Sequence, residues 1–301
     1  MADSKAPIKP DGAKKPAGAK KPDGVKKPGL KLDFGSVGGL AVALGGILGG
    51  LVLDKGKISD VTQVNAALII LGGTIGAVMV TNPFSLFLRA MKKFPTVFFD
   101  REQPVASTID DIISYATQAR KQGIVSLEQQ AAGIQDQFLR KALSLAVDGI
   151  EMNEIRAIME LEIDLTEHAG EAEAKVFEAA GGYSPTIGII GAVLGLMQVM
   201  KNLANIDEVG RGIASAFVAT VYGLVCANLF FLPAAAKLHG RVKEGIRQRE
   251  MILEGVLSIV EGLNPKMIRI KLDAYLAQGS PKSKVAEKRG KAAARPVAAE
   301  G

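Results

Sequence analysis

Thr220 places a hydroxyl in a row of small residues, Ala216, Thr220, Gly223 and Ala227, spaced i, i+4, i+7 and i+11 so that they share one helix face. A second row, Gly188, Ala192 and Gly195, is spaced i, i+4 and i+7, with Gly191 beside it. Small-residue faces let two helix backbones approach closely inside a membrane. A hydroxyl on such a face either bonds back to its own helix or lines a narrow polar path. It can orient water or a proton carrier, but it does not titrate in the accessible range.

The elements that carry these rows are long and apolar. Nearly half of the 301 residues are hydrophobic (48%), there is no Trp, and the apolar residues are bunched into four runs. Residues 34–53 (FGSVGGLAVALGGILGGLVL), 64–81 (VNAALIILGGTIGAVMVT), 181–200 (GGYSPTIGIIGAVLGLMQVM) and 213–232 (IASAFVATVYGLVCANLFFL) each approach the ~20 residues that cross ~30 Å of hydrocarbon. Four such runs in one chain predict four spans rather than buried soluble helices. Residues 34–53, 64–81, 185–200 and 213–232 contain no Asp, Glu, His, Lys or Arg. These spans therefore supply no carboxylate, imidazole or amine that could bind and release a proton at membrane depth.

The linkers 54–63 and 201–211 are short and poor in net charge, whereas both tails are rich in Lys and Arg, so the positive-inside rule predicts cytoplasmic termini. The stretch 84–184 then lies on the same side. No h-region precedes Phe34, so the first span is expected to be an uncleaved anchor. The expected fold class is an all-α integral membrane protein: four transmembrane helices, a large cytoplasmic helical domain between the second and third, and a helical cytoplasmic C-terminal segment.

The expected segments are 1–32, a disordered Lys/Pro/Gly repeat tail; 33–83, the first two spans; 84–184, the cytoplasmic helical domain; 185–233, the last two spans; 234–279, C-terminal helices; and 280–301, a disordered basic tail. The lysines of the first tail are suited to anionic lipid. Leu139, Leu143, Ala146 and Ile150 recur at helical spacing in an acidic stretch, which predicts packed helices there. Gly181 and Gly182 are expected to break the helix, with Ser184 as N-cap and Pro185 in the first turn of the third span. Pro233 is expected to kink or loosen the fourth helix as it leaves the bilayer. The two prolines are either punctuation or hinges. Cys226, the single cysteine, reads as a small apolar filler.

The motifs GGYSPTIGIIGAVLGLMQVM, AFVATVYGLVCANLFFLPAAAKL and EGLNPKMIRIKLDAYL, in that order, resemble the MotA family, ring-forming subunits of the bacterial flagellar stator. The resemblance covers residues 32–276. It implies a homo-oligomeric ring of five around a MotB-type partner that supplies a membrane aspartate, placed in the bacterial inner membrane. It also implies that ion flow is coupled to torque on the rotor. Gly188, Ala192, Gly195, Ala216, Thr220 and Gly223 would then form the ion path and partner-helix face, and Pro185 and Pro233 would couple ion flow to motion. The segment ARKQGIVSLE (residues 119–128) resembles the family's charged rotor-contact segment, which assigns Arg120, Lys121 and Glu128 to the rotor protein FliG.

Sodium-driven relatives resembling PomA carry threonine where this chain has Ala192. Without that side-chain oxygen, protons are expected. ExbB and TolQ proteins, which energise outer-membrane processes, are the alternative reading, but they have one span before the large cytoplasmic part where this chain has two. Nothing points to an enzyme, a cofactor, a metal or nucleic acid. His168 and His239 are isolated, and no Gly-rich phosphate loop follows a strand.

Overall fold

The structure, a computed structural model, describes residues 31–100, 105–201 and 203–279. Of the tail expected over 1–32, residues 1–30 lie outside it, as does the basic tail expected over 280–301. Lys31 and Leu32 are not tail. They pair antiparallel with Asp100 and Phe99, as strands β1 (Lys31–Leu32) and β2 (Phe99–Asp100).

Among the described residues the other regular elements are helical. The helices are α1 (Phe34–Leu53), α2 (Val64–Thr81), α3 (Phe84–Lys93), α4 (Val105–Gln122), α5 (Glu128–Ala131), α6 (Gln137–Val147), α7 (Met152–Lys201), α8 (Ile206–Val225), α9 (Leu232–Val260) and α10 (Pro265–Gly279). Four helical stretches are long and apolar enough to span a membrane. The first two spans have the ends read from the sequence, because uncharged apolar runs fix them.

The other two spans do not stop at the membrane. α7 is one helix of 50 residues with Pro185 inside it, so the expected break at Gly181 and Gly182, and the N-cap role of Ser184, are both corrected. The cause is tertiary packing. A Cβ on Gly181 would lie 2.5 Å from the Leu232 side chain, and the Ser184 hydroxyl donates to the Gly223 carbonyl at 3.0 Å instead of accepting from an amide of its own helix as an N-cap would. Close neighbours on both residues hold the helical path where local signals would end it.

Between α8 and α9, Cys226–Phe231 form a π-helical turn, and helix runs without a break from Ile206 to Val260. Pro233 follows this wider turn, which relieves the clash of its ring with the carbonyl four residues back. The expected boundaries at 184/185 and 233/234 therefore fall inside continuous helices.

Outside the membrane, α4, α6, α7, α9 and α10 close around Ile112, Leu143, Met159, Met251, Leu257 and Leu272. Leu139, Leu143 and Ala146 are buried here and Ile150 packs at the edge, as their spacing predicted. Asp136 caps α6 by accepting from the Phe138 and Leu139 amides at 2.9 and 3.0 Å. A second cluster, including Val78, Ala90, Phe177, Ala234 and Leu238, lies where α2, α3, α7 and α9 meet. Beside it the nearly buried Glu173 pairs with Lys93.

α1 stands apart, with no buried residue. Its N-terminal end is fixed by Asp33, whose side chain caps the helix and whose amide donates to Phe98 at 2.9 Å. Lys237 of α9 bridges Asp33 and Ser36. One turn further along α9, Arg241 donates to the Thr96 and Phe99 carbonyls.

Candidate ion path and rotor contact

The two small-residue rows pack against each other. A Cβ on Gly188 would lie 3.2 Å from the Ala219 carbonyl oxygen and 3.4 Å from the Thr220 and Gly223 Cα atoms. On Gly195 it would lie 3.0 Å from the Ala216 nitrogen, and on Gly223 2.7 Å from the Ser184 carbonyl oxygen. Gly188, Gly195, Ala216 and Gly223, expected to form the ion path and partner-helix face, line a seam between α7 and α8 within the chain. Two antiparallel helices joined by a short turn meet each other before any other chain, and their glycines are used in that seam.

One edge of the seam is covered by α2. Gly191 approaches Ile69 and Ile70, while Val218 and Ala219 cluster with Ala66. The Tyr222 hydroxyl donates to the Val61 carbonyl at 2.6 Å and accepts from the Gln63 amide at 3.2 Å, which pins the start of α2. Helical rotation turns Ala192, Thr220 and Pro185 to the opposite edge, and all three are half-buried. The Thr220 hydroxyl donates back to Ala216 at 3.3 Å. Its oxygen keeps lone-pair capacity for a water. Along this open edge Ile189, Val193 and Leu196 of α7, with Phe217, Val221 and Leu224 of α8, are exposed. It is a mainly apolar flank, to which Thr220 brings a half-buried hydroxyl.

Pro233, at the far end of the π-turn, is exposed. It and Pro185 are thus both helix-interior residues rather than helix starts. The structure gives each a way to be tolerated: the wide turn before Pro233, and the bond from neighbouring Ser184 to α8 beside Pro185.

Arg120 and Lys121 occupy the last turn of α4, Glu128 opens α5, and all three are exposed. The loop between them is held rigidly. Gly123 takes φ +84, Leu127 is fully buried, and Gln118 donates to the Ser126 carbonyl at 3.1 Å while accepting from Gln130 at 2.6 Å. Among the described residues none of the three charges has an ion-pair partner in the chain.

Residues 37–122 match the family profile described as Motility protein A N-terminal, and residues 130–251 match the MotA/TolQ/ExbB proton channel family. Motility protein A of Helicobacter pylori is 34% identical over 251 residues, covering 83% of this chain and 98% of that protein. The chain belongs to this family. Two solved structures are similar. The C. jejuni MotAB structure has a TM-score of 0.79 at 29% identity, covering 83% of this chain and 98% of that one. The flagellar MotAB stator complex from Bacillus subtilis has a TM-score of 0.75 at 35% identity, covering 84% and 98%. Family and apolar helices together make this a multi-pass membrane protein. The N-terminal match places it on the flagellar branch rather than with ExbB or TolQ.

Sequence reasoning missed the functions of Ser184 and Tyr222. Both are polar groups in apolar runs, which was the available signal, since a membrane-depth hydroxyl needs a partner.

Proposed function

We propose that this chain is the ring-forming subunit of a flagellar stator that couples proton flow across the bacterial cytoplasmic membrane to torque on the rotor. The observation that carries the reading is the pairing of four spans free of Asp, Glu, His, Lys and Arg with a half-buried edge bearing Ala192 and Thr220. A proton path along that edge needs a carboxylate from outside. A MotB-type helix with a membrane aspartate, laid on the open flank, supplies it, and Thr220 orients the intervening water. Pro185 lies on the same edge, and Pro233 lies where helix leaves the bilayer, so displacement of the partner helix acts on both long helices, which run without a break into the domain that bears Arg120, Lys121 and Glu128. In this reading the ring has five copies, both termini are cytoplasmic, lipid surrounds α1, and FliG meets the three charges.

The test is proton uptake into liposomes under an imposed potential. This chain alone should conduct nothing selective; with its partner it should conduct, and changing the partner's membrane aspartate to asparagine should abolish the flux. Flux from the chain alone would overturn the proposal. Ion choice is read separately: swimming should persist without sodium and stop with a protonophore, because Ala192 offers no oxygen to replace sodium's hydration shell.

A further inference from the structure

Among the described residues, three buried side chains hold a polar atom with no hydrogen-bond partner: Thr74, Glu173 and Ser258. Glu173 is the ion-pair partner of Lys93, and Ser258 lies on α9 beside Leu257 and Ile259 of the extramembrane core. Thr74 is the one at membrane depth. It stands on α2 and is fully buried.

Other helical threonines of this protein satisfy themselves locally. Thr81, Thr117, Thr166 and Thr220 each donate to the carbonyl four residues earlier, at 2.8 to 3.3 Å. Thr74 makes no such bond. A buried hydroxyl left unpaired is costly, and within a span no solvent offsets the loss.

The register of α2 on α7 shows what it faces. A Cβ on Gly191 would lie 3.5 Å from the Ile69 side chain, and one on Gly73 would lie 2.7 Å from that of Ile187. Further along, Val78 shares a cluster with Phe177 and Ala180. The two helices are therefore antiparallel, and Thr74 falls at the level of α7 between Ile187 and Ala180. In that stretch Ser184 is the fully buried polar side chain, whereas Thr186 is exposed and bonds back to the Tyr183 carbonyl.

Ser184 is held from the other side. Its hydroxyl donates to the Gly223 carbonyl of α8 at 3.0 Å, and its oxygen keeps the capacity to accept. At this level α7 thus has a hydrogen bond to α8 and an idle hydroxyl across from it on α2. The backbone is also weakest here. Pro185 has no N–H to give to the Gly181 carbonyl, and the π-helical turn of the neighbouring helix starts three residues after Gly223.

We propose that Thr74 is a positioning residue that serves as the second partner of Ser184. When α7 moves at Pro185 relative to α8, the Ser184–Gly223 bond opens, and the Ser184 hydroxyl pairs with Thr74 instead of standing alone in an apolar interior. One hydroxyl with a partner on each side lets α7 occupy two arrangements without leaving a polar group stranded in only one of them. The inference rests on the stator reading and adds α2 to the parts that take part in the motion.

Two variants test it. Thr74→Val keeps the shape and removes the hydroxyl; Thr74→Ser keeps the hydroxyl. Thr74→Val should leave membrane level and thermal stability in detergent at or above those of the parent, because the lost group has no bond in the arrangement seen here. Proton flux with the partner present should fall about fivefold, the equilibrium weight of one net hydrogen bond, and swimming should slow with it. Thr74→Ser should restore both. Added to Ser184→Ala, Thr74→Val should change nothing further, since Thr74 then has no hydroxyl to receive.

Parent-like flux and swimming in Thr74→Val would overturn the role of Thr74. A loss of stability that matches the loss of swimming would also overturn it, by making the hydroxyl part of the resting fold. A further loss on the Ser184→Ala background would do so too, by giving Thr74 another partner. The parent complex separates this from the stator reading: if it conducts no protons, both fall, and if it conducts and Thr74→Val conducts alike, only the role of Thr74 falls.

Discussion

α1 and the α7–α8 seam are both glycine-rich spans, and their glycines meet opposite surroundings. α1 carries Gly35, Gly38, Gly39, Gly45, Gly46, Gly49 and Gly50 in 20 residues, and from Gly38 onward none has a neighbouring atom within 4 Å of its Cβ position. In the seam, Gly188, Gly195 and Gly223 each have another helix's backbone within 3.4 Å. Glycine permits close approach without saying to what. The seam is finished within the chain, whereas α1 is fixed at its N-terminal end and must find its remaining neighbours in lipid or in another subunit.

The difference breaks most sharply at Gly223. A valine there would push its Cβ to 2.7 Å from the Ser184 carbonyl oxygen and 3.1 Å from the Gly188 Cα, both rigid backbone atoms. Overpacking of this kind costs about 3 kcal/mol or more. Gly223→Val should therefore lose membrane accumulation and motility together, as seen by immunoblot and swimming assay. Normal accumulation would show that the seam opens more easily than its distances imply.

Next in size is Lys237→Met, which removes the cation bridging Asp33 and Ser36 and leaves Asp33 as the cap of α1 without its counter-charge. With side chains 18% and 26% exposed, the pair lies between the surface and buried limits, so about 2 kcal/mol is expected. Motility should fall. Lys237→Arg, which keeps the cation beside the Asp33 cap, should recover part of it, and wild-type swimming of Lys237→Met would mean that α1 is held from outside the chain.

The same contrast marks what the sequence could tell. Span ends were legible at Phe34, Leu53, Val64 and Thr81 because a charge-free apolar run has edges. The spacing of Gly188, Gly195, Ala216 and Gly223 was legible too, but spacing defines a face and not its neighbour. Ser184 and Pro185 read as a helix start because that is their local preference, and a bond to Gly223, 39 residues away, overrides it. The link from Asp33 to Lys237 spans 204 residues and leaves no local trace. Arg120, Lys121 and Glu128 are assigned to the rotor by resemblance alone, since exposed charges are ordinary on a helix end.

A smaller effect is expected at Ser184. Its buried hydroxyl makes the 3.0 Å bond that ties α7 to α8 just before Pro185. Ser184→Ala removes one neutral hydrogen bond and leaves no large cavity, which costs about 1 kcal/mol. The protein should accumulate and assemble, with a modest drop in thermal stability in detergent. If motility falls much further than stability, the bond contributes to the motion of the two helices and not only to their docking.

The smallest effect is expected at Gly46, in the middle of α1. An added methyl meets nothing in the chain there, since no atom lies within 4 Å of its position. Alanine is also the better helix former, by about 1 kcal/mol in water. Gly46→Ala should therefore accumulate and swim as the parent does, in direct contrast to a methyl-bearing residue at Gly223. Gly45, Gly49 and Gly50 have the same empty surroundings, so alanine at each should behave alike if lipid covers this part of α1. Loss of swimming at one of the four and not at the others would mark a single face of α1 as packed. Because no described helix of the chain reaches that face, the packing would come from a second copy or from the partner helix. A cysteine at the sensitive position, cross-linked in membranes, would tell these two apart by the mass of the product.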